Sequence, residues 1–153
     1  GVGARQEHTI VPHGGFTDPE YASVGLTEAQ ARAREEVVVA VVPYAAMDRA
    51  LIDDRMPGAC KLIVSKETHR ILGAHVVGEQ ALEIVHVVAA GMVADIWVEQ
   101  LAELQIAYPT FTAIVGLAAR SIVRQLGVLP LAPLWRALDQ PLAEWERRDM
   151  YGV

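Results

Sequence analysis

The chain has 153 residues, 52% of them apolar and 21% charged, which suits one domain that buries its own core without staples. Its 13 basic and 19 acidic side chains leave a net charge of −6, which argues against nucleic acid or an anionic membrane as the main partner. Cys60 is the single cysteine, so an internal disulfide, a paired-cysteine redox motif and a cysteine-rich zinc site are excluded, and a reducing cytoplasm suits the chain.

Residues 1–10 carry little periodic signal and read as an arm or linker ahead of a domain over 11–127, with a tail over 128–153. FTDPEYASVGLT (16–27) holds a turn at Asp18-Pro19-Glu20 and then a short extended piece through Val24. Thr27 opens TEAQARAREE, and Gln30 three residues on gives the capping-box spacing of a helix start. That helix is expected to end near Glu36, because VVVAVVPY (37–44) is a β-branched run of strand type. Residues 45–58 read as a polar connection closed by Pro57-Gly58. ACKLIVSK (59–66) and RILGAHVVG (70–78) flank ETH (67–69) at hairpin length. Alternation puts Cys60, Leu62 and Val64 on one face and Lys61, Ile63 and Ser65 on the other. Strands followed by helices predict an α+β fold, an antiparallel sheet packed against helices.

Over 79–94 the polar residues Glu79, Glu83 and His86 form one narrow stripe on an otherwise apolar helix. VEQLAELQ (98–105) is a short second helix. A third is expected from Pro109, whose ring suits a first helical turn, to Leu126, with Arg120, Arg124 and Gln125 as its polar strip and Gly127 at its end. Such wide apolar faces ask for more cover than a small sheet supplies. A two-fold homodimer follows as the expectation, with Val115 and Ile122 on the side that meets the partner. In the tail, Leu134, Leu138, Leu142 and Trp145 line up at helical spacing, and Pro141 divides that stripe into two short helices. No stretch reads as a transmembrane helix, since Asp95 interrupts the most apolar run, and the start of the sequence lacks the layout of a signal peptide.

Searching for chemistry yields no complete active site. GVGARQ (1–6) imitates a dinucleotide fingerprint, but Gln6 stands where the third glycine belongs and no strand precedes it. GAHVVGEQ (73–80) has two glycines of a phosphate loop without the Lys-Ser/Thr that should follow. Neither FAD nor NAD(P)H is therefore expected to bind this chain. The five histidines show no ligand pattern, and Asp53 and Asp54 beside Arg55 read as a charged loop rather than a metal site. His86 three residues after Glu83 is a base–orienter spacing. It leaves open a small self-contained enzyme, and the apolar helices leave open a small-ligand binding module. Cys60 alternates inward and reads as an inert core thiol.

Three stretches together resemble one family: FTDPEYASVGLTEAQA (16–31), CKLIVSKETHRILGAHVVGEQALEIV (60–85) and VEQLAELQIAYPT (98–110). They are similar to the C-terminal dimerisation, or interface, domain of the FAD-dependent pyridine nucleotide–disulfide oxidoreductases, which include dihydrolipoamide dehydrogenase, glutathione reductase and mercuric reductase. The resemblance runs from about Val11 to Gly127. It implies a domain that dimerises its parent enzyme and has no catalysis of its own, with FAD and NAD(P) domains preceding it. In the family's disulfide reductases the segment matching YPTFTA (108–113) reads His-Pro-Thr-x-x-Glu. There the histidine is an acid–base serving the partner subunit's cysteines, and the glutamate orients it. This chain keeps Pro109 and Thr110 but has Tyr108 for the histidine and Ala113 for the glutamate. An unperturbed phenol, with a pKa of about 10, does not shuttle protons at neutral pH. Mercuric reductases also carry a tyrosine there, which keeps a metal-reducing parent open, although their C-terminal cysteine pair has no counterpart in this sequence. The resemblance thus implies an oxidoreductase parent, with Tyr108 the one candidate contributor to the partner subunit's site.

Overall fold

The computed structural model describes residues 10–128. The GVGARQ arm and the tail stripe Leu134–Trp145 lie outside the described residues. Five strands make one antiparallel sheet: β1 (His13–Gly15), β2 (Tyr21–Gly25), β3 (Val37–Pro43), β4 (Ala59–Ser65) and β5 (Ile71–Val77), in the order β1-β2-β5-β4-β3. The β4–β5 hairpin predicted from the ETH turn is present and pairs Cys60 with Val76 and Leu62 with Ala74. The edge strand β1 was not foreseen. A Gly-Gly pair gives no β-branched or alternating signal, yet its backbone pairs with Tyr21–Ser23.

Helix α1 (Glu28–Arg32) starts as its capping box requires: Thr27 Oγ1 accepts the Gln30 N–H at 3.2 Å, and Gln30 Oε1 accepts the Thr27 N–H at 3.0 Å. It ends at Arg32, short of the Glu36 expected. The residues beyond are engaged by the sheet: Ser65 Oγ donates to Glu35, the Lys66 N–H bonds the Glu36 carbonyl at 3.0 Å, and Lys66 Nζ pairs with the Glu36 carboxylate. Glu28 reaches Lys61 at 2.9 Å, which puts α1 on the sheet face opposite Cys60, Leu62 and Val64. Ile63 and Ser65, on that same face, are buried as well. The alternation is as read, but both faces of β4 are covered.

The supposed polar connection over 45–58 contains a 3₁₀ turn, Tyr44–Ala46, and a helix, α2 (Asp48–Ile52). The spacing Tyr44–Met47–Ala50 explains it, because all three are buried and recur every third residue. Helices α3 (Ala81–Val93) and α5 (Ala113–Leu126) cover the core face: α3 lies against β2 and β5, and α5 against β3 and β4, with α4 (Val98–Glu103) on α5.

This packing corrects where the unpartnered apolar surface lies. Val115 (1% exposed) and Ile122 (0%) belong to the core of a single chain. Small residues on these helices, among them Ala89, Gly91, Ala118 and Ala119, let sheet and helices approach closely enough to bury most of the apolar faces. The exposed large apolar residues include Phe16, Tyr21, Val41 and Val77 on and beside the sheet, Leu51, Ile52 and Met56 on and after α2, Val93 and Trp97 at and after the end of α3, and Tyr108.

Cys60 is buried on the core face, and burial pushes its thiol from an ordinary 9.0 up to about 12. A thiol-specific reagent at pH 8 should leave the native chain unlabelled and titrate one thiol in denaturant; rapid labelling of the native chain would contradict this burial. Above about pH 9 the unfolded chain releases the thiol proton while the folded chain keeps it, so stability should fall as pH rises. Cys60→Ala should shallow that fall, read as the change in urea midpoint with pH.

Candidate functional site

The segment from Ile106 to Thr112 forms a lip held between the core and α2. Phe111 is its buried anchor, with its ring tilted against Tyr44 at a centroid distance of 6.0 Å. Arg49 of α2 holds the lip from outside. Its guanidinium stands 5.5 Å from the centre of the Phe111 ring, Nη1 donates to the Pro109 carbonyl at 3.3 Å, and Nε pairs with Asp53 at 2.8 Å. Within the lip, Thr110 Oγ1 donates to the Ala107 carbonyl at 2.7 Å.

Pro109 therefore does not open the helix. The Tyr108–Pro109 peptide is cis, α5 begins at Ala113 with Thr112 as its N-cap, and its first backbone bonds run back to the carbonyls of Thr110, Phe111 and Thr112. The lip keeps its own turn because Phe111 is pinned in the core and the Pro109 carbonyl is taken by Arg49.

Tyr108 is 76% exposed, and its hydroxyl donates to Asp48 Oδ2 at 2.7 Å. This hydrogen bond to a carboxylate, with the charge behind it, raises the phenol pKa above its ordinary value. The shift favours the neutral phenol over the phenolate. Nothing local in the sequence linked Asp48 to Tyr108, since 60 residues separate them.

The other candidates do not assemble. Glu83 and His86 are both exposed on α3 and no hydrogen bond or ion pair joins them. Asp53 serves Arg49, while Arg55 reaches Asp18 at 3.3 Å and Glu79 at 3.6 Å. His75 is satisfied between Ser23 Oγ and the Leu26 carbonyl, both at 2.8 Å, an arrangement the neutral Nε2–H tautomer fulfils. His69, read only as a turn residue, pairs with Glu99 on α4 and fastens the hairpin to that helix. Among the described residues no group of three or more His, Cys, Asp or Glu side chains could hold a metal ion, and no helix is long and apolar enough to cross a membrane.

The segment GAHVVGEQ (73–80) does not fit a cofactor phosphate. A Cβ at Gly73 would stand 2.2 Å from the Leu26 carbonyl oxygen, and one at Gly78 would stand 2.3 Å from the Tyr44 ring. The space beside both glycines is filled by the chain itself, so GAHVVGEQ is a packing motif and no cradle.

Comparison with known proteins agrees with this architecture. The family model described as pyridine nucleotide-disulphide oxidoreductase, dimerisation domain, matches residues 11–119. A mercuric reductase of Lysinibacillus sphaericus is 33% identical over 120 residues, 78% of this chain and 22% of that protein. A dihydrolipoyl dehydrogenase of Vibrio parahaemolyticus is 36% identical over 122 residues, 79% of this chain and 26% of that protein. Among solved structures, the HOCl-induced flavoprotein disulfide reductase RclA from Escherichia coli superposes with a TM-score of 0.70 at 28% identity, over 72% of this chain and 26% of that one. The chain thus spans about a quarter of the length of the curated relatives it matches.

If Arg49 holds the lip, Arg49→Ala should cost about 1 kcal/mol in urea unfolding, the scale of a cation–π contact made by a partly exposed cation. It should also speed proteolysis within 106–112. Arg49→Lys should restore little, since an ammonium lacks the planar fork that spans ring and carbonyl together. An Arg49→Ala chain with the parental urea midpoint and cleavage rate would show that the lip stands without it.

Proposed function

Because the chain belongs to the pyridine nucleotide-disulphide oxidoreductase dimerisation-domain family, we propose that it assembles a flavoenzyme. In this reading two copies meet through the face made by α2 and the lip, and Tyr108 is carried to the partner subunit's site. The domain contributes no cofactor site of its own. FAD and NAD(P)H are held by separate domains of the parent, an oxidoreductase of the class to which mercuric reductase and dihydrolipoyl dehydrogenase belong.

One observation carries this reading. Leu51 (64% exposed), Ile52 (65%) and Met56 lie on and just after the helix that holds Tyr108, and the charged pair Arg49–Asp53 borders them. Exposed apolar groups clustered beside charged ones mark a protein contact. An obligate dimer buries on the order of 2,000 Å² or more, so this cluster forms the centre of a wider surface.

Two features bear on the parent's chemistry. A neutral phenol in place of an imidazole removes the acid–base that dithiol–disulfide exchange uses, which disfavours an ordinary disulfide reductase. The one thiol of the sequence is buried in the core, so this domain offers no accessible thiolate to a mercuric ion. We assign the parent to oxidoreductases that work in a reducing cytoplasm on a substrate that needs no proton from this lip.

In sedimentation at micromolar concentration the chain should run as a dimer, without bound flavin. Ile52→Asp should give a folded monomer with an unchanged circular dichroism spectrum, because the side chain is exposed in the single chain. Val115→Arg should instead unfold the chain, since it buries an unpaired charge in the core. A wild-type species of 16.6 kDa at that concentration would contradict the assembly role.

A further inference from the structure

The Tyr108 hydroxyl has one proton, and Asp48 Oδ2 takes it at 2.7 Å. The lip does not need this bond to keep its shape: Phe111 anchors it from inside and Arg49 from outside. A hydrogen bond between two solvent-exposed groups adds little to stability, because water competes for both ends. Its consequence is directional. With the proton pointed at α2, the lone pairs of the phenol oxygen are left for whatever approaches from solvent.

We propose that Asp48 is a positioning residue for Tyr108, committing its hydroxyl proton so that the lip presents a hydrogen-bond acceptor, beside a carboxylate, to a hydrogen-bond-donating group at the partner subunit's site. This rests on the reading that the lip faces the partner. It also explains how the segment works with Ala113, a residue that can orient nothing, in the first turn of α5: the orienting carboxylate comes from a different helix. Among the described residues, the charged group that acts on the phenol is Asp48, while the neighbouring Arg49 and Asp53 pair with each other. Ionising the phenol would set a phenolate against the Asp48 carboxylate, so the pair works as an acceptor and not as an acid.

The test is a titration of tyrosinate absorbance on the 153-residue chain, with the Tyr108 step isolated as the difference between wild type and Tyr108→Phe. Asp48→Asn should move that step to lower pH, because it removes the charge that opposes ionisation. Asp48→Glu should keep it near the wild-type position. Coincident Tyr108 steps in wild type and Asp48→Asn would overturn the role of Asp48. The step is readable in monomer and dimer alike, so the two readings fail separately. A monomer that shows the shift overturns the assembly reading and upholds the pair, whereas a dimer without the shift overturns the pair alone.

Discussion

The burial of Tyr44 is the constraint on which the rest of the site depends. Its ring is fully enclosed, and its hydroxyl donates to the Glu79 carbonyl at 2.7 Å, at the corner where β5 leads into α3. A buried hydroxyl or carbonyl left without its partner costs roughly 1–3 kcal/mol, so strand end, corner and ring are set together. Burial also pushes the phenol pKa well above its ordinary value, which keeps Tyr44 a neutral donor. From this ring a series of contacts runs outward through Phe111 and the Arg49 guanidinium to the Pro109 carbonyl, ending at the exposed Tyr108.

That series explains why a surface tyrosine is held at all. Tyr108 lies on a loop, yet each link behind it is either buried or made by a planar cation spanning a ring and a carbonyl. Rigid support of this kind is what a group needs if it is to act in another subunit's site rather than in its own. The far face of the sheet has a separate character. There Ile63 is buried, and Lys61 and Arg32 share Glu28 of α1, whose carboxyl they hold below its ordinary range.

Much of the fold could be read from local pattern, and what could not was determined by distant contacts. The Thr27–Gln30 capping box, the β-branched run of β3 and the β4–β5 hairpin are short-range signals, and each appears where its residues place it. Strand β1 escaped because His13-Gly14-Gly15 carries no side-chain pattern; only the pairing backbone of β2 makes it a strand. Helix α2 escaped because Asp48, Arg49, Asp53 and Asp54 dominate the composition, while the buried spacing of Tyr44, Met47 and Ala50 is sparse. Pro109 misled because it suits a first helical turn, whereas the anchoring of Phe111 defers the helix to Ala113. The wide apolar faces of α3 and α5 were real, but small residues allowed one chain to bury most of them, which left exposed apolar groups on α2, the sheet and the end of α3. Of the candidate site, the sequence singled out Tyr108 through its resemblance to a family that has a histidine there; the contacts of Asp48 and Arg49 with this lip, 60 residues away, had no local signal.

The central claim is that two copies meet where α2 and the lip are. Hydrogen–deuterium exchange, followed while protein concentration is raised through the association midpoint, locates that contact without any substitution. The account predicts that amides in 48–56 and 106–112 slow as concentration rises, while those of the sheet edge at 13–15 and 21–25 keep their rates. Slowing confined to the sheet edge, or exchange independent of concentration in both α2 and the lip, would contradict it.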